Sequence, residues 1–259
     1  MNWKTKKLRN SRIDLVAAII LVFIGTGVRP VSAESGFRIE AESGAAFGGY
    51  NDVEIPQGSG TRFSLTDDLD LETKVYYRLR ASYRINGRHE ILGLFAPLTL
   101  KANGSVNRQV DFEGTTFPAS TPLDAEYTFN SYRLTYRYHF GVSEKIDAAI
   151  GFTGKIRDAA VRLASASEKA EKTNVGFVPL ISFLFTINIS DKVRFYIDGD
   201  ALAAPQGRAE DVKAAFEFDT GQNVSFNLGY RILEGGADVD EVYNFALVHY
   251  AAAGISFRF

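Results

Sequence analysis

"YRLTYRYHF", Tyr132 to Phe140, alternates large apolar side chains with polar or cationic ones for the full length of a strand. Successive side chains of a strand point to opposite faces, so Tyr132, Leu134, Tyr136, Tyr138 and Phe140 share one face. Arg133, Thr135, Arg137 and His139 share the other. A soluble protein would bury the first set, whereas a barrel in lipid would show it outward and keep the arginines in its lumen. Periodicity yields two faces without labelling them, so the label must come from the rest of the chain.

The same period recurs. Lys74 to Ile85 sets Val75, Tyr77, Leu79, Ala81, Tyr83 and Ile85 against Arg78, Arg80, Ser82 and Arg84. Lys192 to Ala203 sets Val193, Phe195, Ile197 and Ala201 against Arg194, Tyr196, Asp198 and Asp200, and Asn223 to Leu233 sets Val224, Phe226, Leu228, Tyr230 and Ile232 against Ser225, Asn227 and Arg231. Period two over ten or more residues reads as strand, and helical spacing fits these windows less well. The sequence predicts strands over 37–50, 74–85, 89–101, 126–140, 145–163, 173–189, 192–204, 209–218, 223–233 and 243–259. Every second connection is short: "NGR" at 86–88, "GVSE" at 141–144, "SD" at 190–191 and "DTGQ" at 219–222. Asn86-Gly87 is the pair that supplies two positive φ angles to a two-residue hairpin. The other connections are expected to be longer, notably 51–73 and 102–125, with Pro205 to Arg208 a brief exception. Short turns on one side and long loops on the other are the rhythm of an outer-membrane barrel. Merging the strands around 204–218 would give eight; pairing "TRFSL" and "VDFEGTTF" into the wall would give twelve.

The N-terminus indicates export. Lys4, Lys6, Lys7, Arg9 and Arg12 form a positive n-region, Leu15 to Val28 is an apolar run, and "VSA" puts small residues before a cut expected after Ala33. An uncleaved membrane anchor needs about 20 apolar residues, and this run is shorter. The expected plan is a cleavable signal peptide at 1–33 and one barrel domain at 34–259. Residues 1–33 hold six of the 29 basic and one of the 31 acidic residues, so the mature segment has 23 basic against 30 acidic, a net charge of about −7. That balance argues against nucleic acid as a partner. With no cysteine, hydrogen bonding and packing must hold the fold without disulfides.

The chain closes "AAAGISFRF", with Ile255, Phe257 and Phe259 on one face and Gly254 five residues before the end. This resembles the C-terminal β-signal of Gram-negative outer-membrane barrels, a class that includes the OmpA-type and omptin-type small barrels. The match departs at Ala252, where the class usually has a polar residue. The resemblance implies an all-β, closed antiparallel transmembrane β-barrel of about ten strands in the bacterial outer membrane. It also implies that Gly254, Phe257 and Phe259 are read by the barrel-assembly machinery, and that the partners are outer-membrane lipid and lipopolysaccharide.

On this reading Arg78, Arg80, Arg84, Arg133, Arg137, Arg194, Asp198, Asp200 and Arg231 are the lumen-lining candidates, facing Glu40, Glu42, Asp147 and Glu217 by the same parity. They form either a salt-bridged plug or a narrow path favouring anions. No catalytic, cofactor or metal site is expected. His89 and His139 fall at turn ends, His249 lies mid-strand on the lipid face by parity, and none has the serine or aspartate partner of an outer-rim hydrolase. "ADVDE" (Ala237 to Glu241) lacks the ligand spacing of a calcium loop. Acidic residues crowd 51–73 and 234–242, both expected as outer loops. The functional expectation is a structural or surface-interaction barrel or a narrow passive pore. The alternatives are an outer-rim enzyme acting on lipid or peptide, and a secreted soluble β-barrel or sandwich.

Overall fold

A computed structural model describes residues 35–259 apart from Val142, Glu144 and Gln222, so the expected signal peptide lies outside the described residues. The strands are, in chain order, β1 (Gly36–Glu54), β2 (Phe63–Ser64), β3 (Asp70–Leu71), β4 (Lys74–Ile85), β5 (His89–Ala96), β6 (Thr99–Ser105), β7 (Val110–Phe112) and β8 (Thr115–Phe117). There follow β9 (Pro122–Gly141), β10 (Ile146–Ala164), β11 (Lys169–Ser190), β12 (Val193–Ala204), β13 (Gly207–Asp219), β14 (Val224–Val239) and β15 (Val242–Arg258). The long ones are antiparallel to their neighbours, and β1 closes the ring on β15 from Arg38↔Arg258 to Glu54↔Tyr243. β5 and β6 both pair with β9 and form one wall strand, giving a closed barrel of ten. Lipid offers no hydrogen-bond partner, and closure alone leaves no unpaired strand edge in it.

The third wall strand breaks at Pro97, which has no N–H to give the ladder. There Leu98 turns to Asn130 Oδ1 (3.2 Å), and its carbonyl takes the N–H of Phe129 (2.8 Å). Asn86 (φ 50°) and Gly87 (φ 66°) form the tight turn expected from their identity. The strands expected to raise the count to twelve do not enter the wall as full members. β2 pairs two residues of β1, and β7 and β8 pair only with each other.

The expected loop rhythm needs correction at two places. Beyond the two large loops and the brief connection expected at Pro205, the connections at that end are only 165–168 and 240–241, because β10 to β15 continue as paired hairpins. The segment 234–242 is therefore largely strand, and Glu234 is buried beside Arg208 rather than in an acidic loop.

A strand tilted by about 45° crosses the apolar layer in roughly ten residues. β9, β10 and β11 have 20, 19 and 22, so half of each stands beyond the membrane. The outward side chains mark the boundary. On β9 they run Phe140, Tyr138, Tyr136, Leu134, Tyr132, then Asn130, Thr128, Glu126 and Asp124; on β10 apolar residues give way at Asp158, on β11 at Thr173 and on β14 at Glu234. Below it the outer wall is apolar and exposed, with Val75 at 75 %, Phe152 at 70 % and Leu134 at 66 %. That pattern labels the faces of the opening stretch: its aromatic side meets lipid.

Closure requires β1 and β15 to approach closely at Gly44, whose φ is +146° and where a Cβ would lie 2.0 Å from the carbonyl oxygen of Ala251. Gly44→Val is expected to prevent closure, abolishing the heat-modifiable folded band on gels, while Ala45→Val on the outward face leaves it intact.

Candidate functional site

Inside the barrel the polarity order is the reverse of the outside. Toward the short-turn end the inward residues are charged, and past the same boundary they become apolar. On β9 the inward series is His139, Arg137, Thr135, Arg133, Ser131, then Phe129, Tyr127, Ala125 and Leu123; on β10 it passes from Thr153, Lys155 and Arg157 to Ala159, Val161 and Leu163. The interior is thus two stacked compartments.

Asp211 is the hub of the lower one. One of its oxygens accepts from Arg78 Nη2 (2.8 Å) and Arg133 Nη2 (2.6 Å), the other from Arg231 Nη1 (2.6 Å). Arg133 reaches on to Asp200 (2.7 Å), which also accepts from Thr153 (2.7 Å). Arg231 and Lys213 converge on Glu42 (2.9 and 2.7 Å), and Tyr76 donates to it (3.0 Å). Nearer the turns, Arg80 and Arg137 share Asp198, and Arg38 and Arg194 share Glu217. His139 is fully buried between Glu90 (3.1 Å) and Asp147 (3.0 Å), with Arg84 Nη2 at 3.2 Å from its ring nitrogens.

Of the sequence-derived set, Arg78, Arg133, Arg137, Asp198, Asp200 and Arg231 are buried within this network, whereas Arg80, Arg84 and Arg194 keep partial exposure near the turn end. Sequence reading passed over Asp211, Lys213, Lys155, Arg38 and Glu90. The signal for the first two was present, since they share the parity of Glu217 on the same strand. Gly254 faces Asn227, whose amide nitrogen a Cβ there would approach to 2.6 Å; Phe257 and Phe259 are exposed on the outer wall, Phe259 beside Phe37. His249 faces outward, stacked on Phe47 and hydrogen-bonded to Tyr230. Its partner strand carries a bulge between Gly48 and Tyr50.

The upper compartment is filled by the two large loops. Ile55, Phe63, Leu65 and Leu69 from the first, and Val106, Val110, Phe112 and Phe117 from the second, are buried with Val53, Leu100, Leu123, Tyr127, Leu163 and Val248 of the wall. Phe63 and Phe112 meet edge to face at 6.0 Å. Arg108 clamps the loops together through Asp68 (3.0 and 2.8 Å) and the carbonyl of Arg62 (2.8 Å). The Arg108 hydrogen bonds hold the Asp68 carboxyl below the usual carboxylate range. Among the described residues no cluster of His, Asp and Glu is arranged to hold a metal.

No protein-family model and no curated protein matches the chain. Solved structures do. The outer membrane protease OmpT from Escherichia coli superposes with a TM-score of 0.52 at 8 % identity, covering 91 % of this chain and 99 % of that one. Ail of Yersinia pestis aligns over 86 % and 98 % of the two chains, at 12 % identity and a TM-score of 0.33. The Pseudomonas putida toluene transporter TodX aligns over 90 % and 95 %, at 8 % and 0.36. At these identities the similarity to OmpT is one of fold.

Removing one member of a buried ion pair leaves the others uncompensated, at a cost of about 3–5 kcal/mol. Asp211→Ala should therefore lower the temperature of barrel unfolding sharply, whereas Asp70→Ala in the exposed loop should leave it unchanged within error. Phe112→Ala opens a cavity costing about 3–5 kcal/mol in a packed core, and is expected to make the 106–121 loop protease-sensitive while the membrane barrel stays folded. The exposed Asp68–Arg108 clamp contributes under about 1 kcal/mol. With the folded pKa of Asp68 depressed, that contribution is present above the usual aspartate pKa near 4 and lost as pH falls through the lowered value. Loop proteolysis by an acid-active protease should accelerate below about pH 4, and Asp68→Asn should remove that step.

Proposed function

We propose that this outer-membrane barrel is closed in its resting state and acts through the capped end it presents outside the cell, as a structural and surface-interaction protein. One observation carries the reading: the interior is filled twice, by a charge network at membrane depth and by an apolar loop core above it. A conducting pore needs a continuous hydrated path lined by groups that bind ions weakly. Here the lumen arginines, candidates for such a path, spend their donors on Asp198, Asp200, Asp211, Glu42 and Glu217. Ten strands enclose an interior only somewhat wider than that of eight-stranded barrels, whose side chains fill it.

The lipid-facing belt fits outer-membrane lipid as the surrounding medium, and the polar outer wall from Asn130 upward fits contact with lipopolysaccharide headgroups. Gly254, Phe257 and Phe259 are the residues through which assembly machinery would recognise the last strand. An enzymatic role gains no support from the histidines: His139 is enclosed by its own partners and His249 is stacked into the outer wall.

Liposomes carrying the refolded chain and loaded with a small anionic dye should retain it. A variant with residues 107–119 replaced by a short Gly-Ser linker should still retain it, because the charge network remains. Adding Arg133→Ala and Asp211→Ala to that variant should cause leakage. Rapid leakage from the unaltered chain would contradict the reading.

A further inference from the structure

β11 is paired along its whole length on one side only. Its ladder with β10 runs without a register shift from Ile146↔Ile187 to Ala164↔Lys169. On the other side β12 accompanies it from Ser190↔Val193 to Ile181↔Ala201 and then turns at 205–206 into β13. Among the described residues no strand pairs with the remaining edge, Lys169 to Leu180. In an antiparallel pair alternate residues turn both N–H and C=O toward the neighbour, and those between turn both away. Asn188 donates to the Lys145 carbonyl (2.7 Å) and Ser165 to the Glu168 carbonyl (2.8 Å), so at both ends of the hairpin the even-numbered residues of the β11 side face β10. Pro179 agrees, since a proline keeps its place in a sheet only where no N–H is asked of it. Lys169, Glu171, Thr173, Val175 and Phe177 therefore aim their backbone groups at the open side.

An open edge of this kind is a template for one further strand. The side chains along it state what that strand must carry. Val175 and Phe177, 70 % and 67 % exposed, stand on the apolar side of the boundary at Thr173, so residues beside them must be apolar too. Higher up, Lys169 and Glu171 are exposed, and neither has an ion-pair partner among the described residues. Opposite charges directly across a ladder stabilise it. A second copy does not fit the edge: barrels sharing a membrane are related by an axis along its normal, which gives two β11 strands the same sense and opposed tilts of about 45°, so they cross instead of pairing. We propose that the edge from Lys169 to Phe177 docks an extended segment of another protein at the cell surface. The segment joins the wall as an antiparallel strand, with apolar side chains opposite Phe177 and Val175, a cation opposite Glu171 and a carboxylate opposite Lys169. The proposal rests on the surface-interaction reading and gives it a place and a partner chemistry.

The probe is a synthetic peptide, Val-Thr-Val-Thr-Thr-Ser-Lys-Ser-Asp, written to run antiparallel from Phe177 to Lys169, added to the unaltered barrel in nanodiscs and read by amide hydrogen exchange. In the free barrel the amides of Glu171 and Thr173 should exchange fast, while those of Lys172 and Asn174, bonded to β10, are protected. The peptide should slow the first pair and leave the second unchanged. Protection of Glu171 and Thr173 before any peptide is added overturns the proposal, because the edge is then already covered. Fast exchange that saturating peptide leaves unaltered overturns it as well. Val175→Pro removes a donor from the open side and none from the β10 ladder, so it should keep the heat-modifiable band and weaken peptide binding roughly fivefold, as one lost hydrogen bond does. Undiminished binding by that folded variant contradicts the proposal, and the exchange measurement decides the matter if the variant fails to fold. A barrel that retains dye and ignores the peptide refutes the docking edge alone, whereas a leaking one refutes the closed-barrel reading.

Discussion

Lipid surrounds this barrel only up to the level of Asn130, and the side-chain plan of the whole chain follows from that boundary. Below it the outer wall must be apolar, and closure satisfies every strand backbone group internally. The lumen then receives the polar set by default, because parity assigns each strand's second face to the inside. Above it water returns to the outside, the outer wall carries Thr128, Glu126 and Asp124, and the inside becomes an ordinary protein core. The one change of surroundings inverts both faces of β9 and β10, and the outer face of β11, within a residue or two of the same height.

The two interiors are held by different physics. The upper core is dispersion and apolar burial, with aromatic residues from both loops packed against the wall. The lower interior is electrostatic, and its partners are worth little as isolated pairs but much as a network, since each shared carboxylate would leave two or three cations stranded if removed. Asp211, with three arginines on two oxygens, is the extreme case.

The strand order and the count of ten were legible because period two is a local signal and the turn at Asn86-Gly87 has a local cause, whereas the orientation of "YRLTYRYHF" was legible only through the terminal "AAAGISFRF" and the rhythm of turns and loops. The lumen parity of Arg133 and Arg137 was legible for the same reason. The inversion was missed although it is written in the sequence: extending the parity of that stretch backward through "DAEYTFNS" turns Tyr127 and Phe129 inward and Glu126 and Asn130 outward. The strand expected over 126–140 already contains that half, but the alternation was followed only from Tyr132 onward, where the apolar face is continuous. The loop cap was not legible at all, because Phe63, Phe112 and Phe117 reach their partners from segments distant in sequence, and no period marks a residue that packs from a loop. Which carboxylate serves which arginine likewise depends on registers around the ring. Asp211 meets Arg78 and Arg133 from strands far along the chain, and no spacing announces that.

Single-channel recording of the refolded mature chain in planar bilayers, beside a gel check that it has folded, tests the doubly filled interior most directly. The account predicts a folded barrel with no discrete current steps at moderate voltage. Reproducible steps from the unaltered chain, with an ion selectivity that shifts when Arg133 and Arg137 are neutralised, would contradict it.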